Sequence, residues 1–308
     1  MHDIVNRLPP SKPPTISRFA AHIHRPGQLL PGTYIPSPRL ESAVQAFLMQ
    51  HQLPDESPAT PRTLLVQGPP GIGKTESTLR AALAMNIAVL LLPPSIFGSK
   101  HEGGGTEAVT EALQEAERFS RCYQQPIAAF FDDVDHSTLT VGDNTGHTVN
   151  TADVIGHLQN LSGNRRLHVT HAGLPIPLLA TANDASRIAP SLFRQMRAKV
   201  ITHTVEPETK HALARSLFAP ATTAEHQFID KLYRTYAKEP IAFWPALHSD
   251  YKAARIQAVM KATGFDPAAV QKALAARRPL DTALITKLAA ACRSARPMNF
   301  LWANRTSE

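Results

Sequence analysis

Cysteine is scarce in this sequence. Only Cys122 and Cys292 occur among 308 residues, and their spacing fits neither a metal site nor a disulfide framework. Long apolar runs are also missing, since the longest, residues 87–92, is far too short to cross a bilayer. The first 15 residues are polar and proline-rich, without the apolar segment of a signal peptide. Together these absences predict a cytoplasmic protein with no membrane segment.

Long basic runs are absent as well, although the net charge is +7 and the isoelectric point about 9.6. Most of the excess lies in residues 206–308, which hold 15 Lys/Arg against 9 Asp/Glu. The longest basic block there is Arg277-Arg278, and no aromatic residues alternate with the basic ones. This pattern favours a solvated helical surface, while nucleic acid stays open as a less favoured partner.

Short apolar strands alternate with helices in the first two thirds of the chain. The strands are expected at 63–67, 87–93, 126–131 and 175–184, the last ending in polar residues, and this alternation predicts a parallel sheet covered on both faces. After residue 206 only helical patterns follow, broken by proline and glycine. We therefore predict an α/β fold with four parts: a flexible proline-rich leader (1–30), an α/β nucleotide-binding core (31–205), a helical lid (206–264) and a C-terminal helical extension (265–308).

A phosphate-binding loop follows the first strong strand. The pattern G-x-x-x-x-G-K-T lies between a strand and a helix, where backbone N–H groups can face phosphates. Lys74 is expected to reach the terminal phosphates, and the Thr75 hydroxyl to bind Mg²⁺. The predicted nucleotide contacts here are Gly68, Pro69, Pro70, Gly71, Ile72, Gly73, Lys74, Thr75 and Glu76.

Two carboxylates follow the apolar strand at 126–131. Asp132 is expected to hold Mg²⁺, and Asp133 to polarise the attacking water. Asp133 is one methylene shorter than the more usual Glu, which shortens its reach. Asp135 either has a structural role or lines the same site.

A strand-end amide and two arginines complete the set. Asn183 ends the strand "PIPLLATAND", where its amide could orient water or contact the γ-phosphate. Arg194 and Arg197 follow three residues apart, a spacing suited to binding phosphate charge on a neighbouring subunit.

Taken in this order, the four elements resemble the AAA+ ATPase family. The resemblance implies ATP and Mg²⁺ as cofactors and a homo-oligomeric ring, usually a hexamer, with ATP at each subunit interface. Arg194 and Arg197 would then act in trans as arginine fingers. Phosphate-loop kinases lack the strand-end Asn followed by an arginine pair, and RecA-like motors lack a helical lid after the core.

Within AAA+ proteins, three segments resemble the Rubisco activase group. They are "GTYIPSPRLESAVQAFLMQHQLPD", "FFDDVDHSTLTVGDNTGHTVNTADVIGHLQNLSG" and "IAFWPALHSDYKAARIQAVMKATG". The first resembles the segment that packs against adenine, which makes Tyr34 and Ile35 candidates. The second carries Asp at the second carboxylate, as the group does. The resemblance covers roughly residues 32–264.

Two positions depart from that group. His248 stands where the group has an arginine that senses the nucleotide state. The loop expected to face the central pore, residues 97–107, has His101 and a run of three glycines where most polypeptide-threading AAA+ proteins have an aromatic residue.

The resemblance implies an ATP hydrolase that remodels a protein target whose identity the sequence does not give. Two other functions remain open. One is a nucleic-acid-associated AAA+ ATPase, such as a helicase loader or a phage DNA-processing factor, which the basic last third favours. The other is an ATP-assembled scaffold with slow turnover, which Asp133 and His248 favour. A metabolic kinase fits less well, because no acceptor site is apparent.

Overall fold

The computed structural model divides the chain into two compact units, Met1–Leu30 with Pro38–His203, and Pro31–Ser37 with Thr204–Glu308. The structure describes residues 18–30, 34–53, 60–97, 103–136, 149–164, 166–193, 197–264, 266–275 and 279–294. Among these residues, none of the helices combines the length and the apolar character needed to cross a membrane.

The first unit is built on a six-stranded sheet. Its strands are β1 (Ile23–His24), β2 (Thr63–Gln67), β3 (Ala88–Leu92), β4 (Ile127–Phe131), β5 (Leu178–Ala182) and β6 (Ala198–Thr202). Their spatial order is β1-β3-β4-β5-β2-β6. All neighbouring pairs are parallel except β1 with β3. The carboxyl ends of β2, β4 and β5 therefore meet at one edge of the sheet.

The central strands are continuous apolar runs because both faces of the sheet are covered. Every residue of β4 and β5 is buried. On one face alternate strand residues pack with α3 (Gly104–Tyr123) and α4 (Val149–Gly163). On the other they pack with α1 (Pro38–Gln50) and α2 (Lys74–Ala84). The predicted α/β fold with a largely parallel sheet is confirmed.

Residues 18–30, within the predicted leader, contact the edge of this unit. β1 pairs with the edge strand β3. The Arg25 guanidinium lies 4.4 Å from the ring centroid of Tyr123 at the end of α3, and Arg18 forms an ion pair with Glu111 of the same helix. Pairing of β1 therefore covers an edge that would otherwise expose backbone hydrogen-bonding groups.

The second unit is helical. It contains α5 (Pro207–Phe218), α6 (Thr223–Thr235), α7 (Phe243–Thr263), α8 (Pro267–Ala275) and α9 (Thr282–Ser294), which confirms the predicted helical part. Trp244 and Leu247 of α7 and Ile285 of α9 are fully buried in one core. α9, expected in the C-terminal extension, thus shares one core with α5, α6 and α7, which fall in the predicted lid.

Glu225 fixes the start of α6 and joins it to the segment before α9. It forms a capping box with Thr222, and its second oxygen accepts the Leu280 N–H at 2.8 Å. A single buried carboxylate therefore satisfies backbone donors from two distant parts of this unit.

Candidate nucleotide-binding site

The phosphate-binding loop connects β2 to α2 at the carboxyl edge of the sheet. Gly71 and Gly73 have φ of 72° and 83°, and Gly73 caps α2 directly before Lys74. Gly68 has a different reason to be glycine, since a Cβ there would lie 2.4 Å from the backbone oxygen of His203. Pro69, Pro70 and Gly71 are exposed. The loop therefore presents its backbone outward at a helix N-terminus, a geometry that binds phosphate.

Lys74 lies under this loop with only 5% of its surface exposed. Its Nζ donates to the backbone oxygens of Gly68 at 2.8 Å and Pro69 at 3.0 Å. The third bond goes to the Asn183 side-chain oxygen at 2.8 Å. The loop lysine and the strand-end amide, predicted separately from sequence, are thus in direct contact.

Asp132 lies beside the first helical residues of α2. Its Oδ1 accepts a hydrogen bond from the Thr75 hydroxyl at 2.6 Å. The same oxygen accepts one from the Thr181 hydroxyl, in β5, at 2.5 Å. The two residues predicted to bind metal are therefore adjacent, and both present oxygen atoms, the ligand type that Mg²⁺ prefers.

Asp133 adopts a left-handed backbone conformation with φ of 46°, which is uncommon for a residue other than glycine. Its N–H donates to the Thr181 hydroxyl at 2.9 Å. The chain thus turns within two residues of the end of β4.

Asp135 is fully buried and supports Asn183. Its Oδ2 accepts the Asn183 N–H at 3.0 Å and the Asp184 N–H at 3.2 Å. Of the two roles left open for Asp135, these bonds support the structural one, which is to hold the tip of β5.

Two opposing effects act on the pKa of Lys74. Burial lowers the pKa of the Lys74 ammonium below its usual value, and the carboxylates of Asp133, Asp135 and Asp132 act in the opposite direction. A negatively charged phosphate beside this desolvated cation would favour its charged form.

Other predicted residues have different surroundings. Glu76 forms an ion pair with Arg80 one turn along α2, and the Arg197 guanidinium donates to the Ser191 backbone oxygen at 3.0 Å. The backbone oxygen of Ile72 lies 3.3 Å from Nε2 of the buried His203. Arg194 and His101 lie outside the described residues.

The three remaining candidates belong to the helical unit. Ile35 packs against the core of that unit, and Tyr34 precedes it in the same segment. The His248 ring makes an edge contact with Phe218 at 5.4 Å between centroids. Burial, with a smaller effect from Lys252, lowers the pKa of the His248 imidazole and so favours its neutral form, whereas an arginine stays charged.

Sequence reasoning missed two polar residues of the site. Thr181 stands in an apolar strand, where a buried hydroxyl needs a partner, and this oddity is a signal that could have found it. Gln67 ends β2 and bonds to the Thr202 hydroxyl at 2.9 Å and the Ala185 N–H at 3.3 Å. Its position directly before the phosphate-binding loop was the available signal.

Comparison with known proteins agrees with this geometry. Residues 64–204 match the family model described as "ATPase family associated with various cellular activities (AAA)". This range runs from β2 past β6 and includes Lys74, Asp132, Asp133 and Asn183. No curated protein matches the chain. Residues 64–204 therefore match an AAA ATPase domain, and this domain indicates an ATP-hydrolysing enzyme.

Proposed function

We propose that this protein is a Mg²⁺-dependent AAA+ ATPase that works as a ring and remodels a protein target, in the manner of the Rubisco activase group. The observation that carries the ATPase part is the convergence of Lys74 with Asn183 and of Thr75 with Asp132 at one sheet edge. The sequence resemblance over residues 32–264 supports the remodelling part.

In this proposal each side chain has a separate task. Lys74 binds the terminal phosphates, and Thr75 and Asp132 hold Mg²⁺, which neutralises phosphate charge when bound. Asp133 orients the water that attacks the γ-phosphorus, and the bond to the β–γ bridging oxygen breaks to give ADP and phosphate. Asn183 fixes Lys74 and contacts the γ-phosphate. Catalysis then rests on positioning and charge stabilisation.

Arg194 and Arg197 would act on ATP bound by the neighbouring subunit. A guanidinium has five N–H donors, and the Arg197 bond to Ser191 engages one of them. That bond would hold the side chain in place while other donors reach a phosphate. Such a role requires a ring, which the proposal takes as a homohexamer.

The experiment begins with Asp133→Asn, which preserves the shape of the side chain but removes its charge. With ATP and Mg²⁺ we expect this variant to form a ring, measured as mass by light scattering, and to retain the bound target for identification. Lys74→Ala is the matched control, because it should neither bind ATP nor assemble. If Asp133→Asn stays a monomer with ATP bound, the ring proposal is wrong.

The target needs a separate test with wild-type protein. A protein retained by Asp133→Asn should stimulate ATP turnover when added pure. Inhibited Rubisco should regain activity in an ATP-dependent reaction if the resemblance extends to the target. Failure with Rubisco but stimulation by another protein would reject the Rubisco assignment and keep the remodelling function.

A nucleic-acid-associated ATPase is the second candidate. Exposed basic residues Lys231, Arg234 and Lys238 follow one another along and just beyond α6, as a phosphate-binding surface would require. Turnover stimulated by DNA, falling steeply with salt, would favour this function over remodelling. A third candidate, an ATP-assembled scaffold, would show strong assembly with slow turnover.

A further inference from the structure

The sequence alone does not explain why a residue with a hydroxyl group, Thr181, stands in an apolar strand. It is the fourth residue of β5, and the other four are leucine or alanine. Its side chain is fully buried. A buried hydroxyl without a partner is costly, and a valine would suit the strand equally well. The hydroxyl must therefore be explained by the bonds it makes.

The sheet register places Thr181 between the strands that carry the site. It pairs with Val66 of β2, one residue before Gln67. On the other side Ala180 pairs with Phe131 of β4, so Thr181 lies beside Asp132. Thr181 is thus next to the end of β4, where Asp132 follows, and close to the start of the phosphate-binding loop after β2.

The Thr181 hydroxyl uses both its donor and its acceptor. It donates to Asp132 Oδ1 at 2.5 Å and accepts the Asp133 N–H at 2.9 Å. Asp132 Oδ1 also accepts from Thr75 at 2.6 Å. One hydroxyl therefore contacts the side chain of the first carboxylate and the backbone of the second.

These bonds have two consequences for the carboxylates. Two donors on the same oxygen fix the rotation of the Asp132 carboxylate. The bond to the Asp133 amide helps to hold that residue at φ 46°, a conformation that costs energy and persists only where its surroundings impose it. The backbone of Asp133 is thus fixed directly before its side chain branches off.

We propose that Thr181 is a positioning residue for ATP hydrolysis, which orients Asp132 toward the metal and Asp133 toward the attacking water. The proposal rests on the ATPase activity of the domain and is independent of the target and of ring formation. Thr181 acts through the two carboxylates and need not touch the nucleotide.

The test compares Thr181→Val, which keeps the shape but removes the hydroxyl, with Thr181→Ser, which keeps the hydroxyl. Calorimetry measures ADP affinity with and without Mg²⁺, and steady-state assays measure kcat and KM for ATP. Because a hydrogen bond to a charged group is lost, we expect Thr181→Val to lower kcat and the Mg²⁺-dependent gain in ADP affinity at least about tenfold. Affinity for metal-free ADP should not change. Thr181→Ser should recover most of both losses.

Two controls separate positioning from packing. In an Asp132→Asn background, Thr181→Val should cost little further metal-dependent affinity, because the group through which it acts is already altered. If Thr181→Val yields no folded protein by circular dichroism, Thr181→Ala takes its place against Thr181→Ser. The proposal is overturned if the variant without the hydroxyl keeps wild-type kcat and Mg²⁺ dependence. It is also overturned if the affinity for metal-free ADP falls by the same factor in Thr181→Val and Thr181→Ser.

Discussion

Three glycine-to-alanine changes should rank in a definite order of stability. At Gly68 an added Cβ would lie 2.4 Å from the His203 backbone oxygen and 2.8 Å from Ile72 Cδ1. A backbone oxygen at this distance must move, so we expect a cost at the upper end of the range for overpacking, about 3 kcal/mol. At Gly73 there is space, with Ser77 Oγ 3.8 Å away, but φ is 83°, and this conformation costs an alanine about 1–2 kcal/mol.

Gly156 is the matched control. It lies inside α4, is exposed and has no neighbour within 4 Å of an added Cβ. Alanine there should stabilise the unit by about 0.5–1 kcal/mol, because glycine loses more chain entropy when a helix forms.

Thermal unfolding measures the ranking directly. With about 2–4 °C per kcal/mol for a domain of this size, Gly68→Ala should lower Tm by roughly 6–12 °C. Gly73→Ala should lower it by about 2–8 °C, and Gly156→Ala should raise it by about 1–4 °C. ATP binding should fail in Gly68→Ala and be normal in Gly156→Ala. If Gly68→Ala has the Tm of the wild type and binds ATP normally, the loop does not approach the His203 backbone as closely as the structure shows.

Two further predictions concern carboxylates. Asp135→Ala leaves the N–H groups of Asn183 and Asp184 without their acceptor, so it should cost about 2–4 kcal/mol in unfolding free energy and lower ATP turnover. Asp135→Asn keeps an acceptor oxygen, so it should lose much less unfolding free energy and turnover than Asp135→Ala. Equal losses in the two variants would refute the role of Asp135 in holding the tip of β5. In the helical unit, a hydrogen bond from Arg215 lowers the pKa of Asp230 from 3.8 to about 2. Because this pKa is depressed on folding, its stabilisation is present above pH 4 and lost as pH falls toward 2. The unfolding free energy measured with urea should therefore fall less between pH 4 and pH 2 in Asp230→Asn than in the wild type. The same fall in both proteins would contradict the assigned effect of Asp230.

The sequence identified the candidate site residues that stand in local motifs at the ends of predicted strands and helices. Lys74, Asp132 and Asn183 each stand at a strand or helix boundary recognisable from nearby residues. Once the strands are parallel, their carboxyl ends must share one edge. Lys74 follows β2 and Asn183 follows β5, so both lie at this edge although they are 109 positions apart.

The contacts that were missed depend on register and on distant packing. The partner of Thr181 is set by how β4 and β5 align, and no local pattern records that alignment. Likewise α9 shows an apolar face in sequence, but no nearby residue indicates that Ile285 shares a core with Trp244. The same applies to β1, whose two residues are too few to give a strand pattern.

Steady-state ATP turnover of Lys74→Ala beside the wild type tests the central claim most directly. Lys74 is the buried cation of the site, bound to the phosphate loop and to Asn183. Circular dichroism on the same samples establishes that the variant is folded. The account predicts ATP-dependent phosphate release by the wild type and only background release by the folded variant. Full turnover by folded Lys74→Ala would contradict it.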